Sequence, residues 1–82
     1  MYTIYSKYGC PYCVKIKNIM ELAELKHVSY ELGVDYTGEE FYKKFGNGST
    51  FPQVILNEDS AESIKLGGCT DTVQYLKQNN MV

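Results

Sequence analysis

Two cysteines three positions apart, Cys10 and Cys13, most constrain the fold of this 82-residue chain, because Pro11 directly follows the first of them. Proline lacks an N–H group and is favoured at the first position of a helix, so we predict that a helix begins at Pro11. Further towards the N-terminus, Tyr2 to Tyr5 are rich in strand-forming residues and predict a short first strand. The residues between this strand and Pro11 then form a loop. This part of the chain is therefore predicted to fold as strand, loop and helix, with Cys10 at the mouth of the helix.

A cysteine at the mouth of a helix is predicted to be reactive. The thiolate is the attacking form of cysteine, and the unpaired N–H groups at a helix N-terminus stabilise negative charge. Lys7 adds a positive charge nearby. We therefore predict that Cys10 is a nucleophile with a pKa below the ~8.5 of an ordinary thiol, and that Cys13 is its disulfide partner. The prediction requires that the Cys10 sulfur is accessible and is not held by a metal.

The remaining chain alternates between helix and strand patterns. Apolar residues after Cys13 recur at three- and four-residue spacing, which predicts an amphipathic helix ending near Lys26 and His27. The further predicted elements are a strand over 28–32, a short helix from Thr37 with Phe41, Tyr42 and Phe45 on its buried face, strands over 53–56 and 63–66, and a helix from Thr70 or Asp71 to about Gln78. This β-α-β-α-β-β-α order predicts an α/β fold with a four-stranded mixed sheet flanked by helices. We find no repeat or linker and expect a single domain over residues 1–82.

Composition and charge limit the partners. The net charge is −2 and the chain contains no arginine, which argues against nucleic-acid binding because that needs a concentrated basic surface. We see no signal-peptide pattern and no apolar run of membrane-spanning length. Three cysteines, two of them clustered, favour a reducing compartment, so we expect a cytoplasmic protein, by default a monomer. The eight tyrosines are interpreted as core edges and surface.

Three blocks of sequence carry a resemblance to a known family. They are Cys10-Pro11-Tyr12-Cys13, Thr50-Phe51-Pro52-Gln53 and Gly67-Gly68-Cys69-Thr70-Asp71. In this order and spacing they resemble a dithiol glutaredoxin of the thioredoxin-like superfamily, over nearly the whole chain. The resemblance implies a thioredoxin-like fold and the glutathione-dependent reduction of protein disulfides and glutathione mixed disulfides. It makes Cys10 the reactive sulfur, Cys13 the resolving sulfur, and glutathione the co-substrate.

The resemblance also implies a glutathione site with a cis peptide bond before Pro52. The residues implied to bind glutathione are Lys7, Tyr12, Thr50, Phe51, Pro52, Gly68, Cys69, Thr70 and Asp71. Lys7 and Tyr12 would lie beside the glycine carboxylate, and the γ-glutamyl end would meet the last helix, which Asp71 is expected to cap. Family members often carry arginine or glutamine before Thr50. This chain has Asn47-Gly48-Ser49 there, so the contact is lost or is supplied by Lys43 or Lys44.

Other interpretations of the cysteine pair stay open. If Cys10 and Cys13 were two of the four ligands of a zinc ion, two further ligands would be needed. Only Cys69 and His27 remain as cysteine or histidine ligands. Some glutaredoxins share an iron–sulfur cluster between subunits, but those usually lack a proline after the first cysteine. Thioredoxins usually carry tryptophan before that cysteine, and this chain has none. We therefore expect redox chemistry without a metal and a packing role for Cys69. The protein target is not specified by the sequence, and ribonucleotide reductase is one compatible partner.

Overall fold

Seven elements follow one another in the predicted order. The computed structural model describes all residues from Met1 to Val82. The elements are β1 (Tyr2–Ser6), α1 (Pro11–Leu22), β2 (His27–Glu31), α2 (Gly38–Phe45), β3 (Gln53–Leu56), β4 (Ile64–Gly67) and α3 (Cys69–Gln78). The predicted β-α-β-α-β-β-α order is confirmed. None of the three helices has the length and apolar character needed to cross a membrane.

The four strands form one mixed sheet in the order β2-β1-β3-β4. β1 and β2 run parallel, joined by the α1 crossover, whereas β3 pairs antiparallel with both β1 and β4. The predicted α/β, thioredoxin-like architecture is therefore confirmed. Because β1 is central and parallel to β2, both strands end at the same edge of the sheet, and the loop that carries Cys10 leaves from that edge.

Side chains alternate between the two faces of the sheet along β1. Tyr2 and Ile4 belong to a core cluster with Ile16 and Met20 of α1. Tyr5 points to the opposite face, which α2 covers with a cluster of aromatic rings. In that cluster the rings of Phe41, Tyr36, Phe45, Phe51 and Tyr5 contact one another at centroid distances between 4.1 and 6.0 Å. The sheet is thus buried by α1 and α3 on one side and by α2 on the other.

The first helix ends earlier than its apolar spacing predicts. Its last residue is Leu22, because Glu24 adopts a left-handed backbone conformation (φ 56°) and the Leu25 N–H bonds back to the Met20 carbonyl at 2.9 Å. Leu25 still packs against the core, but from the loop. His27 is the first residue of β2, so its predicted position at the helix end is wrong.

The second and third helices begin in different ways. Thr37 caps α2 as predicted, in a capping box with Glu40, although Tyr42 is exposed and does not share the buried face of that helix. The predicted cap of α3 by Thr70 or Asp71 is wrong. Gly68 is the N-cap and has no side chain to bond with the helix. β4 runs as far as Gly67, so the helix begins almost directly after the strand.

Three side chains, Tyr5 of β1, Lys44 of α2 and Glu58 of the β3–β4 hairpin, are joined by hydrogen bonds and a salt bridge. The Tyr5 hydroxyl donates to both carboxylate oxygens of Glu58, at 2.7 and 2.6 Å, and the Lys44 ammonium lies 2.6 Å from Glu58. Burial alone would raise the pKa of Glu58, but the hydrogen bonds from Lys44 and Tyr5 outweigh it and lower that pKa. A depressed carboxyl pKa stabilises the fold above the ordinary pKa, and this stabilisation is lost as the pH falls.

We expect Glu58→Gln to lower the free energy of unfolding at pH 7 by ~1–2 kcal/mol, because hydrogen bonds to a charged group are stronger than neutral ones. The difference from the unchanged protein should shrink as the pH falls below the ordinary glutamate pKa of 4.5, where the carboxylate loses its charge. Urea unfolding across acidic pH measures this. Glu62→Gln, at an exposed residue of the same hairpin, is the control. A stability difference that did not change with pH would contradict the assignment.

Candidate active site

Cys10 and Cys13 form a disulfide at the N-terminus of α1, with their Cα atoms 5.2 Å apart. Cys10 is the N-cap residue of the helix, and its sulfur accepts a hydrogen bond from the Cys13 N–H at 3.2 Å. The strand, loop and helix that the sequence predicts therefore place this sulfur at the positive end of α1. After reduction, the same N–H group and the helix dipole stabilise a thiolate on Cys10.

Access to the two sulfurs differs. Cys10 is 6% exposed and Cys13 is 1% exposed, so both residues are buried and the predicted accessibility of Cys10 is wrong for the disulfide state. Within a disulfide each sulfur covers part of the other, and this cover is removed when the bond opens. The neighbouring Pro11 and Tyr12 are exposed, so the helix mouth itself faces solvent. Cys10 is the less enclosed residue of the pair, and its role as the attacking cysteine stays a prediction.

A groove of about 300 Å³ is formed by Tyr12 of α1, by the segment before and into β3, and by the β4–α3 junction. It brings together every residue implied to bind glutathione except Lys7. The residues that line it are Tyr12, Thr50, Phe51, Pro52, Gln53, Gly67, Gly68, Cys69, Thr70 and Asp71. Gln53 and Gly67 were not among the predicted residues. Both belong to the sequence blocks that carry the resemblance, which was the signal that could have identified them.

The middle of the groove is shaped by the Phe51-Pro52 peptide bond, which is cis as expected. Pro52 is buried, and a Cβ atom on Gly68 would lie 3.5 Å from the Pro52 carbonyl oxygen. The β4–α3 junction therefore packs closely against the Pro52 segment. The Gln53 side chain donates to the Thr50 carbonyl at 2.9 Å and closes the segment on itself.

Three predicted lysines lie outside the groove lining. The Lys7 ammonium group lies 5.0 Å from the centroid of the Phe51 ring, so it is at the edge of the groove. Lys44 is paired with Glu58, and both Lys43 and Lys44 line a different cavity beside α2. The alternative in which Lys43 or Lys44 replaces the family's arginine or glutamine is therefore wrong, which leaves the alternative that this contact is lost. α2 directs both lysines away from the groove.

The first turn of α3 offers polar groups to the groove. The backbone N–H groups that begin a helix have no intrahelical acceptor, and the first bond here runs from the Thr72 N–H to the Gly68 carbonyl at 3.0 Å. No side chain caps these groups. The Asp71 carboxylate lies in the same turn and packs over Gly67. Free N–H donors beside a carboxylate are complementary to a carboxylate and an ammonium group on one ligand.

Cys69 is buried at the first position of α3 and belongs to the core cluster. Burial raises the pKa of its thiol, and nearby Lys15 only partly opposes the rise. A neutral, buried thiol is a poor nucleophile, which favours the packing role over that of a second reactive cysteine. No group of three or more histidine, cysteine or acidic side chains is arranged to hold a metal ion.

A redox-active disulfide at a helix mouth, on a thioredoxin-like sheet, defines the class of thiol-disulfide oxidoreductases. Residues 2–61 match the glutaredoxin family model, and the chain belongs to the glutaredoxin family. Glutaredoxin 1 of Rickettsia felis is 33% identical over 81 residues, covering 95% of this chain and 74% of the relative. The glutaredoxin of Vibrio cholerae is 32% identical over 83 residues, covering 93% of this chain and 90% of the relative.

Solved structures show the same fold. Wheat glutaredoxin superposes with a TM-score of 0.73 at 27% identity, over 96% of this chain and 73% of the wheat chain. A buckwheat glutaredoxin–glutathione complex superposes with a TM-score of 0.70 at 19% identity, over 98% of this chain and 71% of that chain. The second likeness is one of fold alone.

Proposed function

We propose that this protein uses glutathione to reduce protein disulfides and glutathione mixed disulfides. The observation that carries the proposal is the groove that begins at Tyr12, between the two cysteines, and ends at the uncapped first turn of α3 beside Asp71. Glutathione has a carboxylate at each end and an ammonium group beside one of them. The free N–H groups and the Asp71 carboxylate are complementary to its γ-glutamyl end. The buckwheat glutaredoxin, which shares the fold of this chain, was solved as a complex with glutathione.

In the first proposed reaction, the Cys10 thiolate attacks the glutathione sulfur of a mixed disulfide. A bond forms between Cys10 and glutathione, the original disulfide breaks, and the released thiolate takes up a proton. A second glutathione thiolate then attacks the bound glutathione sulfur, so that oxidised glutathione leaves and Cys10 is again a thiolate. Each cycle consumes one free glutathione, and the oxidised glutathione that leaves contains this molecule and the one that came from the mixed disulfide. Cys13 takes no part in this cycle.

In the second proposed reaction, Cys10 attacks a protein disulfide and forms a mixed disulfide with the target. The Cys13 thiolate attacks the Cys10 sulfur, the target leaves as a dithiol, and the Cys10–Cys13 bond forms, which is the oxidised state of this structure. Two glutathione molecules reduce it again. The short Cα separation of the two cysteines and the Cys13 N–H bond to the Cys10 sulfur support this assignment.

Within the groove, each end of glutathione has a proposed partner. We assign the glycine carboxylate to Tyr12, which lines the groove, and to Lys7, which lies at the groove edge over the Phe51 ring. The backbone of Thr50 and Phe51 pairs with the cysteine of glutathione. The γ-glutamyl carboxylate accepts hydrogen bonds from the first turn of α3, and Asp71 accepts from its amino group.

We propose that the chain acts as a single domain and a monomer in the cytoplasm, where glutathione is abundant and thiols are kept reduced. Disulfide-bearing and glutathionylated proteins are the proposed partners, and ribonucleotide reductase is a compatible target.

The test is reduction of a small glutathione mixed disulfide with either of two electron supplies. With glutathione, glutathione reductase and NADPH, we expect steady turnover that saturates with the mixed disulfide. With thioredoxin reductase and NADPH alone, we expect none above the background rate. Turnover with thioredoxin reductase and none with glutathione would overturn the proposal.

A further inference from the structure

A second cavity, of about 530 Å³, opens beside α2. It shares no lining residue with the groove described above. Its walls are the aromatic rings of Tyr5, Tyr30, Tyr36 and Phe41, with Tyr5 5.7 Å from Tyr30 and 5.3 Å from Tyr36 between ring centroids. The proposed glutathione chemistry does not use this cavity.

Lysine ammonium groups lie over rings of the aromatic cluster beside this cavity, and one of these rings, Tyr5, lines it. Three rings of the same aromatic cluster have an ammonium group over one face: Phe51 has Lys7 at 5.0 Å, Tyr5 has Lys44 at 5.8 Å and Phe45 has Lys65 at 5.6 Å. The faces of aromatic rings carry negative potential, which accounts for these positions. The rings of Tyr30 and Tyr36, which also line the cavity, have no such cation from the chain itself.

Two carboxylates stand on the rim of the cavity without a cationic partner. Asp35 accepts a hydrogen bond from the Glu31 N–H at 2.8 Å, and Glu40 accepts one from the Thr37 N–H at 2.9 Å. In each case one carboxylate oxygen is used and the other is free. The chain's one salt bridge joins Lys44 to Glu58 and involves neither carboxylate. Exposed aromatic faces beside free carboxylate oxygens are complementary to a guanidinium group, which stacks on rings and donates in a planar fork.

The cavity lies close to the redox site. Tyr5 and Tyr30 are paired neighbours near the ends of β1 and β2, at the edge from which the chain continues to Cys10. Phe41 of the cavity wall stacks on Phe51 of the groove wall, with centroids 4.1 Å apart and planes 12° from parallel. The two sites are therefore separated by one pair of stacked rings.

We propose that this cavity receives an arginine side chain of the protein substrate while its cysteine reacts at Cys10. The inference rests on the proposed function and adds a substrate preference to it. Disulfide-bearing or glutathionylated proteins with an arginine close to the reacting cysteine are reduced faster than those without. The net charge of −2 favours the approach of a basic segment. Lys43, which has no carboxylate partner and shares the rim, opposes binding.

The test compares glutathionylated peptides that differ in one residue, arginine or glutamine, at successive positions on either side of the cysteine. At the favourable position we expect the arginine peptide to have an about tenfold higher kcat/KM. The double variant Asp35→Asn, Glu40→Gln keeps both backbone hydrogen bonds but loses both charges, and should abolish the preference. Lys43→Gln should increase it. A small mixed disulfide without arginine should be reduced at the same rate by all three proteins.

An arginine preference at no position, or one that survives the double variant, would overturn the inference. Turnover of the glutamine peptide in the same assay reports on the proposed function separately. A binding measurement does not depend on catalysis at all. Titration with the same peptides carrying serine for cysteine, followed by NMR, should shift the signals of Tyr30, Asp35 and Tyr36 with the arginine peptide and leave them in place with the glutamine peptide. Equal shifts with both peptides, or none with either, would also overturn it.

Discussion

Cys10→Ser is expected to reduce the turnover of a small glutathione mixed disulfide by about a thousandfold or more, whereas Cys13→Ser is expected to retain this activity. The reason is that Cys10 is the N-cap of α1 and the more exposed sulfur, while Cys13 is almost fully enclosed. Only Cys10 can then attack the substrate. The glutathione-coupled assay, run with each variant at the same enzyme concentration, measures the difference.

A second substrate separates the two cysteine roles. With a protein disulfide, both variants should be strongly impaired, because the second proposed reaction needs Cys13 to release the target. In Cys13→Ser, thiolate absorbance followed with pH should give a midpoint below the ~8.5 of a free thiol, since the helix mouth favours the charged form. The control is the same measurement with Cys69→Ser added to Cys13→Ser. It leaves Cys10 as the single thiol and should give the same midpoint. Loss of mixed-disulfide turnover in Cys13→Ser would refute the assignment.

The order of elements and the location of the redox pair were predictable from sequence because each depends on local signals. Pro11 marks the start of α1 and so places Cys10 at its N-cap. The alternation of apolar patterns gives the strand and helix order, and the parallel crossover follows from it. The Thr37 and Glu40 capping box is another local signal, and the structure confirms that α2 begins there.

The errors have two causes, local changes of backbone direction and contacts distant in sequence. Leu25 continues the helical spacing of α1, but it reaches the core from a loop because Glu24 reverses the chain. Asp71 has the residue type of a cap, yet the observed N-cap is Gly68, three residues earlier. Lys44 was a candidate for the groove, but its partner Glu58 lies on the β3–β4 hairpin.

The aromatic cavity could not be predicted from sequence, because residues distant in sequence form it. Tyr5, Tyr30 and Tyr36 come from β1, β2 and the loop after β2, and no periodicity links them. The interpretation of the tyrosines as core edges and surface does not distinguish a ring on open surface from a ring in a cavity wall. Pairing of Tyr5 with Tyr30 across the parallel strands brings the rings together.

Gly67→Ala is expected to raise the KM for glutathione by ~10- to 100-fold while leaving the Cys10–Cys13 pair intact, because a charge-assisted contact of this kind contributes ~1.5–3 kcal/mol. Gly67 has a positive φ of 98°, and a Cβ atom there would lie 2.6 Å from the Asp71 Oδ2 atom. The methyl group would therefore force the carboxylate away from its position at the first turn of α3. Glutathione-dependent initial rates with the mixed disulfide held at saturation measure this KM.

Two matched variants separate the carboxylate from general strain. Gly33→Ala introduces alanine at a similar positive φ of 84°, where no atom lies within 4 Å of the new methyl group. Both alanine variants should therefore lose ~1–2 kcal/mol of stability through backbone strain, but only Gly67→Ala should raise the KM. Asp71→Asn should raise the KM without that strain, because it removes the charge and keeps the shape of the side chain. If Gly67→Ala left the KM unchanged, the Asp71 carboxylate would have no part in holding glutathione, and the γ-glutamyl end would have to bind through the N–H groups of α3 alone.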